Sequence, residues 1–488
     1  MKVLMLIPPS KFAKNVARDL IYGCWCKGKR IGGIKFPPIS QLLVVTYLRK
    51  NGINADILDA SALQVGMNEL LNIISKYNMI IMLTSTMSIN EDAMFLSSLK
   101  LVKRSLKTVV YGSHPTFMPQ YTLQREGIDF VIFREPEEVL KNLIYALKEG
   151  KDLKKVKGIG YKEDGKIVIT EQASLIENLD ILPIPDRRLL PKDIDYYNPV
   201  VKRIPYTTMI TSRGCPGRCI FCSVPFFYGN SIRWMSVDRV MAEIGEVVSM
   251  GYKEIFFRDE MFTADRDRVM EISEKIIKKG YDIKWICSTR ADKVDEEMLK
   301  LMKKAGCHMI RVGVESGSQK VLNNIKKGIT IEQVERLFKL TNKLGIDTHA
   351  HLMVGMPGET IEDVNKTIKF IKKINPTIIT AGVCTPYPGT ELFNIVVKKD
   401  PSIKDGSDSD LSRLHTTAFY NEYFSNMTKE QINKSVRRIY KSFYLRPIYL
   451  LRWVPRLTSI DELRRVTLAA VNVVDFIFRG DEIIKEEE

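Results

Sequence analysis

Three cysteines stand close together near the middle of the chain, with the spacing Cys-x3-Cys-x2-Cys: Cys215, Cys219 and Cys222. The 488 residues hold only eight cysteines, so three in one loop favour metal binding over disulfides. Three thiolates can hold three irons of a cubane iron–sulfur cluster and leave the fourth iron open to another ligand. A structural zinc site is the alternative. It usually adds a second cysteine pair or histidines, and neither lies near this run.

The run resembles the signature of the radical S-adenosylmethionine (SAM) superfamily, in which an aromatic residue precedes the last cysteine. That residue is Phe221 here. The resemblance implies a 4Fe-4S cluster whose open iron binds SAM. It also implies one-electron cleavage of SAM to methionine and a 5′-deoxyadenosyl radical, which abstracts hydrogen from an unactivated carbon. An electron donor such as ferredoxin or flavodoxin is implied with it, and the oxygen-sensitive cluster indicates an anaerobic cytoplasm.

Residues 206–400 alternate short apolar segments with amphipathic ones, which predicts a parallel α/β unit. The cysteine run follows the first of six expected strands. In a (β/α) barrel the reacting groups lie at the carboxyl ends of the strands, so the run stands where that fold requires it. We therefore expect a partial (β/α)6 radical SAM barrel. The predicted strands are 208–211, 254–257, 284–287, 309–312, 347–353 and 378–383.

The later strand ends carry residues that resemble the SAM contacts of the superfamily. An acidic pair matches the contact to the methionyl amino group, and a serine and an arginine match those to the ribose and the carboxylate. A glutamate matches the acceptor from the ribose hydroxyls, and a glycine turn matches the one beside the adenine. In chain order these residues are Asp259, Glu260, Ser288, Arg290, Glu315 and Gly355.

Residues 1–150 show a similar alternation, with predicted strands at 2–7, 55–58, 79–83, 108–111 and 130–133. This pattern predicts an α/β Rossmann-like domain, in which ligands bind beyond the carboxyl ends of the strands. Small hydroxyl and glycine residues at those ends suit a large polar ligand that carries amides and a phosphate.

The domain resembles the cobalamin-binding domain that precedes the barrel in one large radical SAM subgroup. The shared features are Phe-Pro-Pro-Ile at 36–39, Gly-Ser-His-Pro-Thr at 112–116, Gly-Ile-Asp-Phe-Val at 127–131 and Glu-Pro-Glu at 135–137. The Asp-x-His-x-x-Gly element that supplies a histidine ligand to cobalt elsewhere is absent, so we expect no such ligand. The resemblance implies that cobalamin contacts Ser10, Thr84, Ser85, Thr86, Gly112, Ser113, His114 and Glu135.

Two other interpretations apply to parts of this domain. The fold could be Rossmann-like without holding cobalamin, since a fold does not determine its function. His114 could be a loop residue that hydrogen-bonds the backbone. Cys24 and Cys26 form a Cys-x-Cys pair, but a pair without two partners cannot complete a metal site, so we interpret them as small buried residues.

Two further regions complete the predicted organisation. Residues 151–205 form a connector, with a hairpin around 158–170 and a proline-rich strap at 182–186. Residues 401–488 form a mostly helical C-terminal domain in which basic and aromatic residues interleave between 434 and 466. We interpret this domain as a cap that closes the barrel and lines a substrate tunnel. The alternative is a peripheral membrane surface, with arginines on lipid phosphates.

Composition limits the classes of partner that we expect for this chain. The formal net charge of +16 favours an anionic partner, and no apolar run reaches the roughly 18 residues of a membrane-spanning helix. No signal peptide is evident, so we expect a cytoplasmic protein, associated with membranes only if the C-terminal region contacts them. No oligonucleotide-binding motif is visible, so we expect no nucleic-acid partner. We also expect a monomer.

The leading hypothesis is a cobalamin-dependent radical SAM C-methyltransferase that acts on an unactivated carbon. The second is a cobalamin-free radical SAM enzyme that forms or oxidises carbon bonds, for example in ring formation or coupling of lipids. The third is a nucleic-acid-binding protein with a structural cluster, which only the basic charge supports. A lipid or a protein segment fits the charge of the chain as substrate.

Overall fold

Two large β-sheets, each with its own hydrophobic cores, organise the part of the chain that the structure describes, and a two-stranded ribbon accompanies the second. The computed structural model describes residues 1–9, 35–191, 194, 196, 198–407, 420–453 and 459–479. Ser10, Cys24 and Cys26 lie outside these described residues.

The first sheet has the strand order β2-β1-β3-β4-β5-β6-β7. Strands β1 to β5 are parallel, whereas β6 and β7 form an antiparallel hairpin that pairs with β5. The hairpin that we assigned to the connector therefore extends the sheet of the first domain, because it covers the open edge of β5. The strands are β1 (Lys2–Ile7), β2 (Asn54–Asp59), β3 (Met79–Leu83), β4 (Lys107–Tyr111), β5 (Phe130–Ile132), β6 (Ile159–Glu163) and β7 (Lys166–Ile169).

Helices cover both faces of this sheet, as the continuous apolar strands require. In β1, Val3 and Met5 belong to one core, while Leu4 and Leu6 belong to the core on the opposite face. The predicted doubly wound α/β domain is confirmed. Its helices are α1 (Ile39–Lys50), α2 (Met67–Ile74), α3 (Ile89–Val102), α4 (Ser113–Phe117), α5 (Pro119–Gln124) and α6 (Pro136–Glu149).

The second sheet contains six parallel strands in the order β8-β11-β12-β13-β14-β15. All six match predicted strands, although the first begins and ends two residues earlier than expected. A two-stranded ribbon, β9 with β10, brackets the cysteine loop. The bounds are β8 (Tyr206–Met209), β9 (Ser212–Arg213), β10 (Arg233–Trp234), β11 (Glu254–Phe257), β12 (Lys284–Thr289), β13 (Cys307–Glu315), β14 (Asp347–Val354) and β15 (Ile378–Val383).

Six of the eight barrel helices named below begin at a side-chain cap that the sequence supplies. Thr330 and Thr360 each form a reciprocal capping box, and Asp265 and Asp295 accept from the first turn of their helices. The helices are α7 (Val224–Tyr228), α8 (Val237–Ser249), α9 (Arg266–Lys278), α10 (Glu296–Lys304), α11 (Gln319–Asn324), α12 (Ile331–Leu344), α13 (Ile361–Ile374) and α14 (Glu391–Lys399).

Three helices follow the barrel: α15 (Lys429–Tyr444), α16 (Pro447–Trp453) and α17 (Ile460–Arg479). Helix α15 covers the edge strand β15. The backbone N–H of Ile379 donates to the Tyr444 hydroxyl (3.0 Å), and that of Ala381 donates to the Tyr440 hydroxyl (3.1 Å). These tyrosine hydroxyls thus accept hydrogen bonds from backbone N–H groups of an edge strand, as the cap interpretation expects. None of the described helices is long and apolar enough to cross a membrane.

Candidate active site

The cysteine loop leaves the carboxyl end of the barrel sheet between β9 and α7. Gly214, at φ +103°, opens the loop, and a Cβ atom there would lie 2.2 Å from the carbonyl oxygen of Ser231. Only glycine permits this approach of the loop to the chain that returns through β10. Phe221 is half-buried and packs against the barrel core.

The sulfur atoms of the loop lie near one another. The Sγ atoms of Cys215 and Cys219 both lie within 4 Å of the position that a Cβ atom of Gly217 would take, and so does Nη1 of Arg290. The backbone N–H of Gly217 donates to Cys215 Sγ at 3.4 Å. Cys222 lies close enough that both other sulfurs act on its pKa. The loop therefore brings the three predicted ligands together with a cation.

Burial raises the pKa of all three thiols, to about 12 for Cys222. The positive charge of Lys327 opposes this rise at each cysteine. Metal binding requires thiolates, so iron would have to displace these protons, and a nearby cation assists that change. The donor set fits a cubane cluster held by three cysteines.

The two acidic residues at the end of β11, Asp259 and Glu260, make different contacts. Asp259 is buried, and its carboxylate accepts from the backbone N–H of Thr211 (3.1 Å) and from the hydroxyls of Thr211 (2.8 Å) and Ser212. Its oxygens thus bind the chain that leads into the cysteine loop. Glu260 instead lies near Cys215. Burial is the main cause of the raised pKa of the Cys215 thiol, and the negative charge of Glu260 adds to it. Of the predicted pair, Glu260 lies beside the cysteine loop, whereas the Asp259 carboxylate is engaged within the protein.

Ser288 and Arg290 stand at the end of β12. Ser288 is half-buried and pairs in register with Arg311 of β13. Arg290 binds both carboxylate oxygens of Asp292 (3.0 and 3.3 Å) and donates to the carbonyl oxygen of Lys327 (2.9 Å). These contacts fix the guanidinium beside the cysteine loop, where it can donate to a carboxylate.

Glu315 ends β13 in an unusual backbone conformation. Its φ is +62°, and the pairing with β14 shifts register between Gly313 and Glu315. Such irregularities re-aim a side chain at functional sites. The Glu315 carboxylate accepts from Lys327 Nζ at 2.7 Å, and both side chains are about 9% exposed. A Cβ atom on Gly313 would lie 2.4 Å from Glu315 Oε1, so this glycine makes room for the pair.

Gly355, at φ +80°, begins the turn after β14. Its N–H donates to Glu359 Oε2 (2.7 Å), and its carbonyl oxygen accepts from Asn421 Nδ2 (2.8 Å). Burial raises the pKa of Glu359 to about 7. A Cβ atom at Gly355 would lie 2.7 Å from Asn421, so the turn requires glycine. Glu359, the last residue of the predicted adenine-side turn at 355–359, therefore holds this turn together with Asn421, which sequence reasoning missed.

Several of the predicted cobalamin contacts at the ends of β3 and β4 form hydrogen bonds within the protein. Thr84 donates to Asp92 (2.7 Å), and Thr86 shares a hydrogen bond with His114 Nδ1 (3.1 Å). His114 Nε2 lies 3.3 Å from Asp405, so His114 contacts side chains rather than the backbone. Burial lowers the pKa of His114 despite this carboxylate. Ser85 and Gly112 are buried as well, while Ser113 is half-buried.

Glu135 joins the two domains. Its carboxylate binds Arg213 (2.8 Å) and Arg233 (2.8 and 2.9 Å), and Glu137 binds Arg213 at 2.5 Å. All four side chains are buried. Burial would raise the pKa of Glu135, but the two guanidinium groups outweigh it, so the pKa is lowered. The structure thus uses Glu135 to connect the first domain to the start of the cysteine loop.

Arg134 offers a contact to a ligand at this edge. It follows β5 with φ +55°, and its buried Nε atom has no hydrogen-bond partner among the described residues. The backbone N–H of Arg134 donates to the Thr116 hydroxyl (2.9 Å), which fixes the turn. A buried donor without a partner among the described residues fits a polar ligand such as cobalamin.

Sequence reasoning missed Lys327, Asn421 and the arginine pair Arg213 and Arg233 of β9 and β10. Lys327 carried a weak signal, since it follows Lys326 in a lysine pair before Gly328. Asn421 comes from the C-terminal region, far from Gly355 in sequence, and only the fold brings them together.

Comparison with known proteins agrees with this organisation. The model of the radical SAM superfamily matches residues 209–371, and that of the B12 binding domain matches residues 33–144. The uncharacterized methyltransferase PH0819 of Pyrococcus horikoshii is 34% identical over 93% of this chain and 94% of its own length. The anaerobic magnesium-protoporphyrin IX monomethyl ester cyclase of Rubrivivax gelatinosus is 35% identical, over 60% of this chain and 54% of its own length.

A solved structure shares the whole fold. The radical SAM methyltransferase TsrM from Kitasatospora setae, with cobalamin and a [4Fe-4S] cluster bound, matches with a TM-score of 0.74 and 17% identity. The match covers 97% of this chain and 99% of that chain. The chain belongs to the radical SAM superfamily, as an enzyme with a 4Fe-4S cluster and SAM in its barrel and a B12-binding domain for cobalamin in front of it.

Proposed function

We propose that this protein is a cobalamin-dependent radical SAM C-methyltransferase that adds a methyl group to an unactivated carbon. The observation that carries the proposal is the buried ion cluster of Glu135, Glu137, Arg213 and Arg233. It ties the ligand-binding edge of the first domain to the chain two residues before Cys215. Cys215 and Cys222 also pack against the hydrophobic core of the first domain. The two cofactor sites therefore adjoin each other.

When bound, the cluster and SAM supply the 5′-deoxyadenosyl radical, and cobalamin supplies the methyl group. The protein's own residues hold and orient these groups. Cys215, Cys219 and Cys222 would bind iron, and Glu260 would accept from the amino group of SAM. Arg290 would donate to its carboxylate, while Glu315, oriented by Lys327, would accept from the ribose hydroxyls.

The overall conversion is balanced with two molecules of SAM and two electrons. One SAM yields methionine and 5′-deoxyadenosine, which takes its new hydrogen atom from the substrate carbon. The second SAM yields S-adenosylhomocysteine and the transferred methyl group. The electrons would come from a ferredoxin or flavodoxin, for which the basic surface of the chain is suited.

The experiment is cofactor and product analysis of anaerobically purified, reconstituted protein. We expect iron, sulfide and bound cobalamin, with S-adenosylhomocysteine and 5′-deoxyadenosine forming in equal amounts in extract that contains the substrate. Protein that cleaves SAM but cannot bind cobalamin would contradict the proposal and favour bond formation or oxidation. This alternative has support from the similarity to the cyclase of Rubrivivax gelatinosus. Protein that holds a cluster but cannot cleave SAM under strong reductant would contradict both.

A further inference from the structure

A cavity of about 990 Å³ lies between the inner face of the barrel and the C-terminal helices. Its volume is at the upper end of the range for small-molecule sites, roughly 300–1,000 Å³. Aliphatic and aromatic side chains predominate in its lining. Those on which the assignment depends are Ile378, Tyr444, Trp453, Ala469 and Val473.

The mouth of the cavity is apolar and exposed. Three lining residues of α17 combine an apolar side chain with high exposure: Val471 (59%), Val474 (43%) and Phe478 (64%). Leu463 extends this exposed apolar surface along the same helix. Contiguous exposed apolar surface marks a binding site or a membrane contact. A ligand that enters here from a lipid surface would remain in apolar surroundings.

The inner end of the cavity approaches the SAM site. Arg311 of β13 lines the cavity, and its register partner His349 on β14 does so too. Gly313 lies two residues farther along β13, about 7 Å at the rise of a strand. The Glu315–Lys327 pair lies directly over Gly313. The cavity therefore leads along the inner face of the barrel toward the residues that would hold the ribose of SAM.

The inner end also holds polar atoms suited to a ligand. His349 is about 9% exposed, and its Nε2 bonds the hydroxyl of Thr380 at 2.5 Å. Its buried Nδ1 has no hydrogen-bond partner among the described residues. The guanidinium of Arg311 lies beside it over the ring of Phe256, at 5.1 Å. A cation and an unpaired ring nitrogen at the end of an apolar cavity match a small anionic group on a long chain.

We propose that this cavity binds a long-chain lipid, with its small anionic head group at Arg311 and His349 and its hydrocarbon chain against α17. The carbons next to the head group are then nearest to the SAM site. The lipid would be the substrate of the methyl transfer, and that part of the assignment rests on the proposed function.

The test is a titration of the reconstituted full-length protein with cis-parinaric acid, a long-chain fatty acid that fluoresces in apolar sites. We expect saturable binding. Ala469→Phe, which fills the cavity, should weaken binding by about tenfold or more. The control Leu468→Phe places the same side chain at the adjacent position, which does not line the cavity, and should leave affinity within about twofold. Circular dichroism and iron content verify that each variant folds.

Absence of saturable binding would contradict the lipid assignment, and so would equal affinity in wild type and the Ala469→Phe variant. Displacement of the fatty acid by apolar peptides but not by anionic lipids would contradict it too. The titration requires neither SAM cleavage nor cobalamin. Failure of the proposed function would therefore appear as missing cobalamin with fatty-acid binding intact. Failure of the lipid assignment alone would leave cobalamin and SAM cleavage in place.

Discussion

The two ligand edges of this molecule use their polar residues in opposite ways. At the barrel edge, the three thiols, Glu260 and Arg290 gather around one loop, where cofactor atoms can meet them. At the edge of the first domain, Thr84, Thr86 and Glu135 are buried and bonded within the protein. The barrel edge thus leaves polar side chains available to a ligand, whereas most of the polar side chains named at the first domain's edge are engaged within the protein.

We expect the largest effect from a variant that removes cofactor binding at the barrel edge and leaves the first domain unchanged. Cys219→Ala should abolish SAM cleavage, because the cluster loses one of three protein ligands. The first domain should remain folded and bind cobalamin, because Cys215 and Cys222 pack against its core whereas Cys219 does not. Chromatography of 5′-deoxyadenosine, iron content and cobalamin absorbance measure these outcomes. Cys307→Ala, at a buried cysteine outside the loop, is the control. Retained cleavage with an intact cluster would show that Cys219 is not a ligand.

A second variant tests whether the barrel edge depends on a buried ion pair. Lys327→Met leaves the Glu315 carboxylate buried without its cation, which costs about 3–5 kcal/mol in comparable sites. We expect a KM for SAM raised by about tenfold or more and a lower melting temperature.

The neighbouring lysine supplies the matched control. Lys326 pairs with Glu391 at the surface, where both side chains are more than 40% exposed. Lys326→Met should therefore change stability by less than about 1 kcal/mol and leave the KM for SAM unaltered. Equal effects of the two variants would mean that Lys327 does not orient Glu315 for SAM.

The domain junction should respond differently from either edge. Glu135→Gln weakens the bonds to Arg213 and Arg233, and we expect unfolding free energy to fall by about 3 kcal/mol. Methyl transfer should decline more than SAM cleavage, because the variant loosens the placement of one cofactor site relative to the other. Denaturant unfolding and the ratio of the two SAM products measure this. Glu149→Gln, in an exposed pair with Lys151, should change neither.

The smallest expected effect concerns the first domain. Thr86→Val removes the hydroxyl that bonds His114, at a cost of roughly 1–3 kcal/mol in stability. Cobalamin affinity, measured by absorbance titration, should stay within about twofold, because the hydroxyl is engaged inside the protein. A tenfold loss would instead assign Thr86 to the cofactor and remove the contrast between the two edges.

Periodicity predicted the fold well, because continuous apolar strands and capped amphipathic helices are local features. The strands at Glu254–Phe257 and Ile378–Val383 lie where the pattern placed them. The hairpin at 159–169 was predicted as well, but not its pairing with β5. Pairing depends on which sheet edge is open, and the local pattern does not contain that information.

The cysteine spacing by itself predicted iron–sulfur chemistry for the loop, because three thiols within eight residues can reach one cluster once the loop folds back on itself. Only the tertiary structure decided which other residues join them. Lys327 reaches Glu315 through a bulged strand end, and Asn421 reaches Gly355 from another region. Only the tertiary structure shows, too, that the carboxylates of Asp259 and Glu135 bond other protein groups. Whether a buried polar side chain faces a ligand or a neighbour depends on contacts between distant segments.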